Sequence, residues 1–169
     1  NHYKQLVQKK ATMAFAKSNK SLKKIFILND ESMPNWLNKK KSNRFEYLAD
    51  PCFVYNKKEG FDLRAHYKIP KENLILLQFG NIDERKNTEN FIFALNSISD
   101  SIASKITLLV CGKFKNNYEP ILKSIVKQNA KFQIIFRNEF VSDEEMESTV
   151  SQSDVILRTN INFFGSSGI

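Results

Sequence analysis

From residue 74 onward the chain alternates short apolar runs with helical segments, and that alternation leaves few folds open. The runs 74–79 (LILLQF), 106–111 (ITLLVC), 132–136 (FQIIF) and 154–157 (DVIL) have the length and the Ile, Leu, Val and Phe content of strands. Helical segments at 89–98, 119–128 and 143–152 separate them. A helix between successive strands is the crossover that parallel neighbours require. The expected fold class is therefore α/β, a Rossmann-like parallel sheet with flanking helices. Helix starts are signalled separately: Ser142-Asp143-Glu144-Glu145 forms a capping box, Pro120 sits in a first turn, and Thr88 or Asn87 can cap the helix after the first strand.

The first 73 residues are less regular. Residues 1–17 read as a helix, 24–28 (KIFIL) as a short strand, 32–37 as a helical turn and 45–48 as a strand leading to Asp50-Pro51. A proline after Asp favours extended or turn backbone and marks a boundary. Residues 52–73 are charged and turn-rich, with Gly60 and Pro70. The expected organisation is a basic segment at 1–49, a linker at 50–73 and an α/β domain at 74–169. There is no internal repeat.

Charge is placed unevenly. The net charge is +8, and residues 1–46 hold eleven Lys and Arg against Asp30, Glu31 and Glu46, whereas the remainder holds fifteen charges of each sign. Lys9-Lys10, Lys23-Lys24 and Lys39-Lys40-Lys41 interleave with Phe15, Phe26 and Trp36. That pattern suits an anionic membrane surface, with each well-placed cation worth about 1 kcal/mol; a plain solvated basic face explains it as well. No helix-turn-helix or RNP-type aromatic pattern accompanies the charge, so nucleic acid is not expected. No apolar run reaches the roughly 18–20 residues of a membrane span. Cys52 and Cys111 have no CxxC or Cys/His spacing, which suits a reducing compartment and gives no zinc site. The expectation is a cytoplasmic protein, peripheral at the inner face of the membrane if the basic segment works that way. The sequence begins with Asn1 rather than Met, so residue 1 reads as a boundary inside a longer protein.

Ligands of parallel α/β sheets bind outside the carboxyl ends of the strands. Two strand exits here suit an anion. In the first, Gly80-Asn81-Ile82-Asp83-Glu84-Arg85-Lys86-Asn87, the glycine allows a sharp turn, and Arg85 and Lys86 can reach back toward a diphosphate. In the second, Phe163-Phe164-Gly165-Ser166-Ser167-Gly168-Ile169 puts small and hydroxyl residues where a helix should begin, and free N–H groups there hold phosphate oxygens. Either loop alone reads as an ordinary glycine turn; two on one sheet edge favour a phosphorylated ligand. His2 and His66 have no partner at useful spacing and are read as surface or linker residues.

Residues 50–169 resemble the donor-binding half of the retaining glycosyltransferases of the two-domain GT-B fold, the glycosyl transferase group 1 family. The resemblance runs through Asp50-Pro51 at the interdomain linker, the strand end Leu77-Gln78-Phe79-Gly80, and Lys86-Asn87 at the next helix. It continues through Leu109-Val110-Cys111-Gly112, the segment from Phe140 to Glu145, Ser153-Asp154-Val155, and the loop at Phe164-Gly165 followed by Ser166-Ser167-Gly168. The chain departs from the pattern at Asn81, where the family commonly has Arg, and at Asn162, where it has an acid.

The resemblance implies a parent enzyme that moves a sugar from a nucleoside diphosphate donor to an acceptor hydroxyl of a glycan, polysaccharide or lipid-linked acceptor, a hexosyltransferase-like activity. It also implies that residues 1–49 are the end of the preceding acceptor-side domain, that 74–169 are a partial nucleotide-sugar-binding domain stopping after its fourth strand, and that the chain turns over nothing by itself. It assigns Lys86 and Arg85 to the diphosphate with Gly80 and Asn81, Gly165, Ser166, Ser167 and Gly168 to the helix-start phosphate site, and Phe140 and Val141 to the base. No catalytic residue is assigned, and no metal or cofactor is expected, the chain having no Asp-x-Asp pair. The alternative is a non-catalytic α/β scaffold with a basic partner-binding or membrane-binding face. A response-regulator receiver is disfavoured because the first strand does not end in acids, and a dinucleotide oxidoreductase because GNIDERKN is not GxGxxG.

Overall fold

The computed structural model describes residues 2–38, 43–51, 54–126 and 130–161. The chain forms two compact units, one up to residue 52 and one from residue 53 on. In the first, helix α1 (His2–Ser18) precedes strand β1 (Ile25–Leu28), helix α2 (Ser32–Asn38) and strand β2 (Phe45–Leu48). β1 and β2 pair in parallel from Ile25 opposite Phe45 to Leu28 opposite Leu48, with α2 as the crossover. The Asp30 carboxylate starts α2 by accepting hydrogen bonds from the backbone N–H groups of Ser32 and Met33, each 3.0 Å. Among the described residues of this small unit, Pro34, Leu37 and Phe45 are buried.

The second unit has helix α3 (Leu63–Tyr67), strand β3 (Leu74–Phe79), a 3-10 turn (Glu84–Lys86), helices α4 (Thr88–Ser97) and α5 (Asp100–Ala103), strand β4 (Ile106–Cys111), helix α6 (Tyr118–Val126), strand β5 (Gln133–Arg137), helix α7 (Asp143–Ser151) and strand β6 (Val155–Ile156). The strands are parallel in the order β5-β4-β3-β6. All six residues of β4 are buried, as a central strand covered on both faces requires. Alternate side chains go to opposite layers. Leu76, Leu108 and Val110 pack with Ile92, Leu95, Tyr118 and Leu122 of α4 and α6; Ile75, Leu77, Leu109 and Cys111 pack with Leu63, Ile69 and Val141 and with Met146 and Val150 of α7.

Four expectations need correction. The stretch 50–73 is not connection throughout: Leu63 of α3 and Ile69 are core residues of the second unit, and the 58–63 stretch is stitched to α7. The Lys58 N–H donates to Ser148 Oγ (2.6 Å) and the Leu63 N–H to Gln152 Oε1 (2.8 Å), bonds made by side chains some ninety residues away that no local pattern announces. The third strand runs over Gln133–Arg137, one residue later than read, because Phe132 turns into the α4/α6 layer while Gln133 begins the pairing opposite Thr107. Strand β6 keeps only Val155 and Ile156, both exposed on the sheet edge. The expected helical segment 119–128 begins one residue early at Tyr118, and residues 127 and 128 lie outside the described residues.

No helix of the described residues is long and apolar enough to cross a membrane.

Candidate functional site

The strand order sets where a ligand can enter. β4 and β5 lie to one side of β3 and β6 to the other, so the direction in which strands are added across the parallel sheet reverses between β3 and β6. At such a switch point the loops leaving the two strands diverge, and a crevice opens at the carboxyl edge.

Gly80 leaves β3 with φ +107°, and Gly112 leaves β4 with φ +132°. A Cβ on Gly112 would stand 2.0 Å from the Gly80 carbonyl oxygen, so only glycine fits. Asn81 is exposed, whereas Ile82 is fully buried and continues the pairing: its N–H donates to the Lys113 carbonyl and its own carbonyl accepts from the Lys115 N–H, both 2.9 Å. Asp83 then caps the 3-10 turn through the Arg85 N–H at 3.1 Å.

The two cations of this loop are used differently. Arg85 folds back on Asp83, with Nη2 2.7 Å from Oδ2 and Nε 3.1 Å from the same oxygen. Those bonds, outweighing partial burial, hold the Asp83 carboxyl below its ordinary pKa. Lys86 instead reaches over the strand end: its ammonium donates to the Phe79 carbonyl at 2.8 Å and lies 3.7 Å from where a Cβ on Gly80 would be. Partial burial lowers the Lys86 pKa, the nearby Asp83 opposes this, and the charges of Arg158 and Arg85 lower it further. Lys86 and Arg158, from the two sides of the switch point, therefore feel each other's charge.

A buried polar residue holds these loops together. Gln78, 1% exposed in the middle of an apolar strand, donates from Nε2 to the Lys86 carbonyl and to Thr159 Oγ1, both 2.9 Å, and accepts at Oε1 from Thr88 Oγ1 at 2.5 Å. Thr159 Oγ1 also donates to the Lys86 carbonyl, and the Ile161 N–H donates to the Arg85 carbonyl at 2.9 Å. The segment after β6 is thus docked onto the 3-10 turn. Thr88 is consequently not the expected side-chain cap of α4. Asn87 precedes that helix in left-handed conformation without a capping bond, its Oδ1 accepting from Asn90 instead.

On the other side of β3 a cleft of about 200 Å³ opens over the ends of β3, β4 and β5. Gly80 and Asn81 form one wall, Gly112 and Lys113 the next, and Glu139, Phe140 and Val141 the third, with Asp143 and Met146 of α7 beside them. Phe140 is 86% exposed and Val141 is buried.

Gly80, Asn81, Phe140 and Val141 therefore share this cleft, with Lys86 adjoining it at Gly80. Arg85 is turned to Asp83. Gly165, Ser166, Ser167 and Gly168 lie outside the described residues, as does Asn162. Sequence reasoning missed Gln78, Arg158, Thr159, Lys113 and Glu139. Only Gln78 carried a signal, the lone polar side chain in LILLQF.

No protein-family model matches the chain, and no curated protein does. Among solved structures the chain is similar to WaaG, a glycosyltransferase involved in lipopolysaccharide biosynthesis, with a TM-score of 0.53 and 20% identity over 80% of this chain and 37% of that one. It is also similar to the C-terminal domain of a glycosyl transferase group 1 family protein (LpcC) from Francisella tularensis, with a TM-score of 0.48 and 24% identity over 62% of this chain and 55% of that one. The likeness to WaaG is one of fold, and the Rossmann-like parallel α/β arrangement expected from the sequence is the one observed. The chain spans little more than a third of the length of WaaG.

Proposed function

We propose that this chain forms the donor-diphosphate site of a glycosyltransferase, which in the complete protein moves a sugar from a nucleoside diphosphate to an acceptor hydroxyl. The observation that carries the proposal is the Lys86 ammonium, part-buried at the end of β3 beside Gly80, with the charge of Arg158 near it across the switch point. The chemistry asks for such cations. As the bond from the anomeric carbon to the diphosphate breaks, negative charge grows on the leaving oxygens, and donors already in place stabilise it without reorganisation. An arriving diphosphate would also offset the desolvation and like-charge cost that lowers the Lys86 pKa.

In this proposal Lys86 binds the diphosphate, Gly80 and Asn81 let its oxygens approach the strand end, and Phe140 and Val141 border the base. Gly165, Ser166, Ser167 and Gly168 supply further donors to a phosphate. Arg85 takes a secondary part, because its guanidinium is committed to Asp83. Cationic side chains and backbone N–H groups take the charge, with no metal or cofactor. An acceptor from polysaccharide or lipopolysaccharide-type assembly and a cytoplasmic position at a membrane surface belong to the same proposal.

The test is release of nucleoside diphosphate by the complete protein supplied with a panel of sugar nucleotides and candidate acceptors. Turnover with one donor, reduced about 10- to 100-fold by Lys86→Ala, agrees with the loss of one hydrogen bond to a charged group. Turnover unchanged by Lys86→Ala would remove the residue from the site.

A second role, attachment of the basic first unit to an anionic surface, is favoured by one observation. Phe15, Phe26 and Trp36 are all more than half exposed, and the Lys17 ammonium stands 5.8 Å from the Trp36 ring. A scaffold of this kind would bind anionic vesicles with no response to nucleotide.

A further inference from the structure

We propose that Glu139 reads the base of the donor nucleotide and selects guanine; this rests on the donor-site proposal above and adds the identity of the nucleotide. Glu139 and Phe140 sit on the short loop from β5 to α7, and that loop is pinned on both sides. Arg137, the last residue of β5, bonds Glu145 of α7 and, at 2.8 Å, Tyr67 of α3. Its Nε donates to Glu139 Oε1 at 2.5 Å. Asn138 accepts from the Phe114 N–H at 3.0 Å and donates to Glu119 at 2.7 Å. Beyond Phe140, Val141 is buried in the core.

Between these anchors the Glu139 side chain remains 60% exposed and Phe140 86% exposed, both on the cleft of about 200 Å³. That volume is below the roughly 300 Å³ at which pockets for whole ligands begin, and it suits one end of a ligand. A planar base can stack on an exposed aromatic ring.

The polar lining decides which base. Of the charged residues that line the cleft, Glu139 and Asp143 are acidic and Lys113 is basic, with Lys86 adjoining at Gly80. An ionised carboxylate only accepts, so the base edge facing it must donate. Guanine offers two adjacent donors, N1–H and the N2 amino group, which match the two oxygens of one carboxylate. Uracil offers a single N–H between two carbonyl oxygens that a carboxylate repels. Adenine and cytosine offer one amino group beside a ring nitrogen that is itself an acceptor. The bond from Arg137 occupies only one lone pair of Glu139 Oε1 and orients the carboxylate before the ligand arrives.

Calorimetric titration of the complete protein with GDP, UDP, ADP and CDP tests this, using wild type, Glu139→Gln and Phe140→Ala. GDP is expected to bind roughly 10- to 100-fold more tightly than the other three, the discrimination of one bidentate base contact. Glu139→Gln is expected to remove most of that margin while leaving UDP affinity within about twofold, and Phe140→Ala to weaken all four alike. Circular dichroism of the variants checks that these exposed substitutions keep the fold. Preference for any other base, or a GDP preference that survives Glu139→Gln, overturns the assignment of Glu139 while leaving a nucleotide site in place. Absence of binding by every nucleotide to folded wild type overturns the donor site and the base assignment together.

Discussion

Replacing Gln78 with Leu is the sharpest test of how the two loops at the switch point are held. The Gln78 amide makes three hydrogen bonds in a site only 1% exposed. Leucine keeps most of the volume and removes all three. The Lys86 carbonyl retains its bond from Thr159 Oγ1, so its loss is partial. Thr88 is fully buried, and its hydroxyl loses the partner at 2.5 Å and keeps only the weaker interaction with the Tyr118 hydroxyl. A buried hydroxyl left with only a weak partner costs about 1–2 kcal/mol, and the remaining bonds contribute about 1 kcal/mol more, so the expected loss is about 2–3 kcal/mol. Urea unfolding measures it, and a double-mutant cycle identifies the cause. Thr88→Val in the Gln78→Leu background removes the weakly paired hydroxyl and should restore about 1 kcal/mol, because deleting both partners is nearly neutral where deleting one is not. A Gln78→Leu protein within about 0.5 kcal/mol of wild type, or strictly additive single costs, would refute the reasoning.

Three other outcomes follow from single sites. Gly112→Ala should destabilise by more than the roughly 1–3 kcal/mol of a strained left-handed residue, since its Cβ would collide with the Gly80 carbonyl 2.0 Å away; unchanged urea unfolding would show that the strand ends can part. The Glu145 carboxyl is held below the ordinary carboxylate range: burial raises its pKa, but the bonds from Lys58 and Arg137 outweigh burial, so its stabilisation is present above the unfolded value and is lost as pH falls through the folded one. Glu145→Gln should therefore flatten the loss of stability with falling pH from about 4.5 downward, as read by urea unfolding across that range. Cys111 is buried with its thiol pushed up to about 11 by desolvation, so in a Cys52→Ser background a thiol reagent at pH 8 should react only after denaturant is added; fast native-state labelling would contradict its burial.

The sheet was legible from the sequence because each strand is a continuous apolar run and each crossover a segment with its own start signal. Leu74–Phe79 and Ile106–Cys111 fall where the pattern puts them, and Ser142 caps α7 as the Ser-x-x-Glu spacing requires. Contacts across long sequence distances were not legible. Leu63 and Ile69 lie in a charged, turn-rich stretch, and only the partners of that stretch on α7 make it part of the core. The site was half legible. Glycines at strand ends and a lysine before a helix point to an anion at Gly80 and Lys86, but the pairing of Arg85 with Asp83 depends on a turn that residue types alone did not specify. Glu139 was hidden as well, its orientation being set by Arg137 at the end of β5, the strand its own loop leaves.

The central claim, a nucleoside diphosphate at the switch point contacted by Lys86, is tested most directly by thermal unfolding of the complete protein against nucleoside diphosphates and sugar nucleotides, with Lys86→Ala as the control. At a hundredfold excess over the dissociation constant the bound state gains about 2.7 kcal/mol, which raises the midpoint by roughly 5–10 °C. A rise of that size with one nucleotide, lost in Lys86→Ala, is the predicted result. No shift with any nucleotide, or a shift that Lys86→Ala leaves intact, would contradict it.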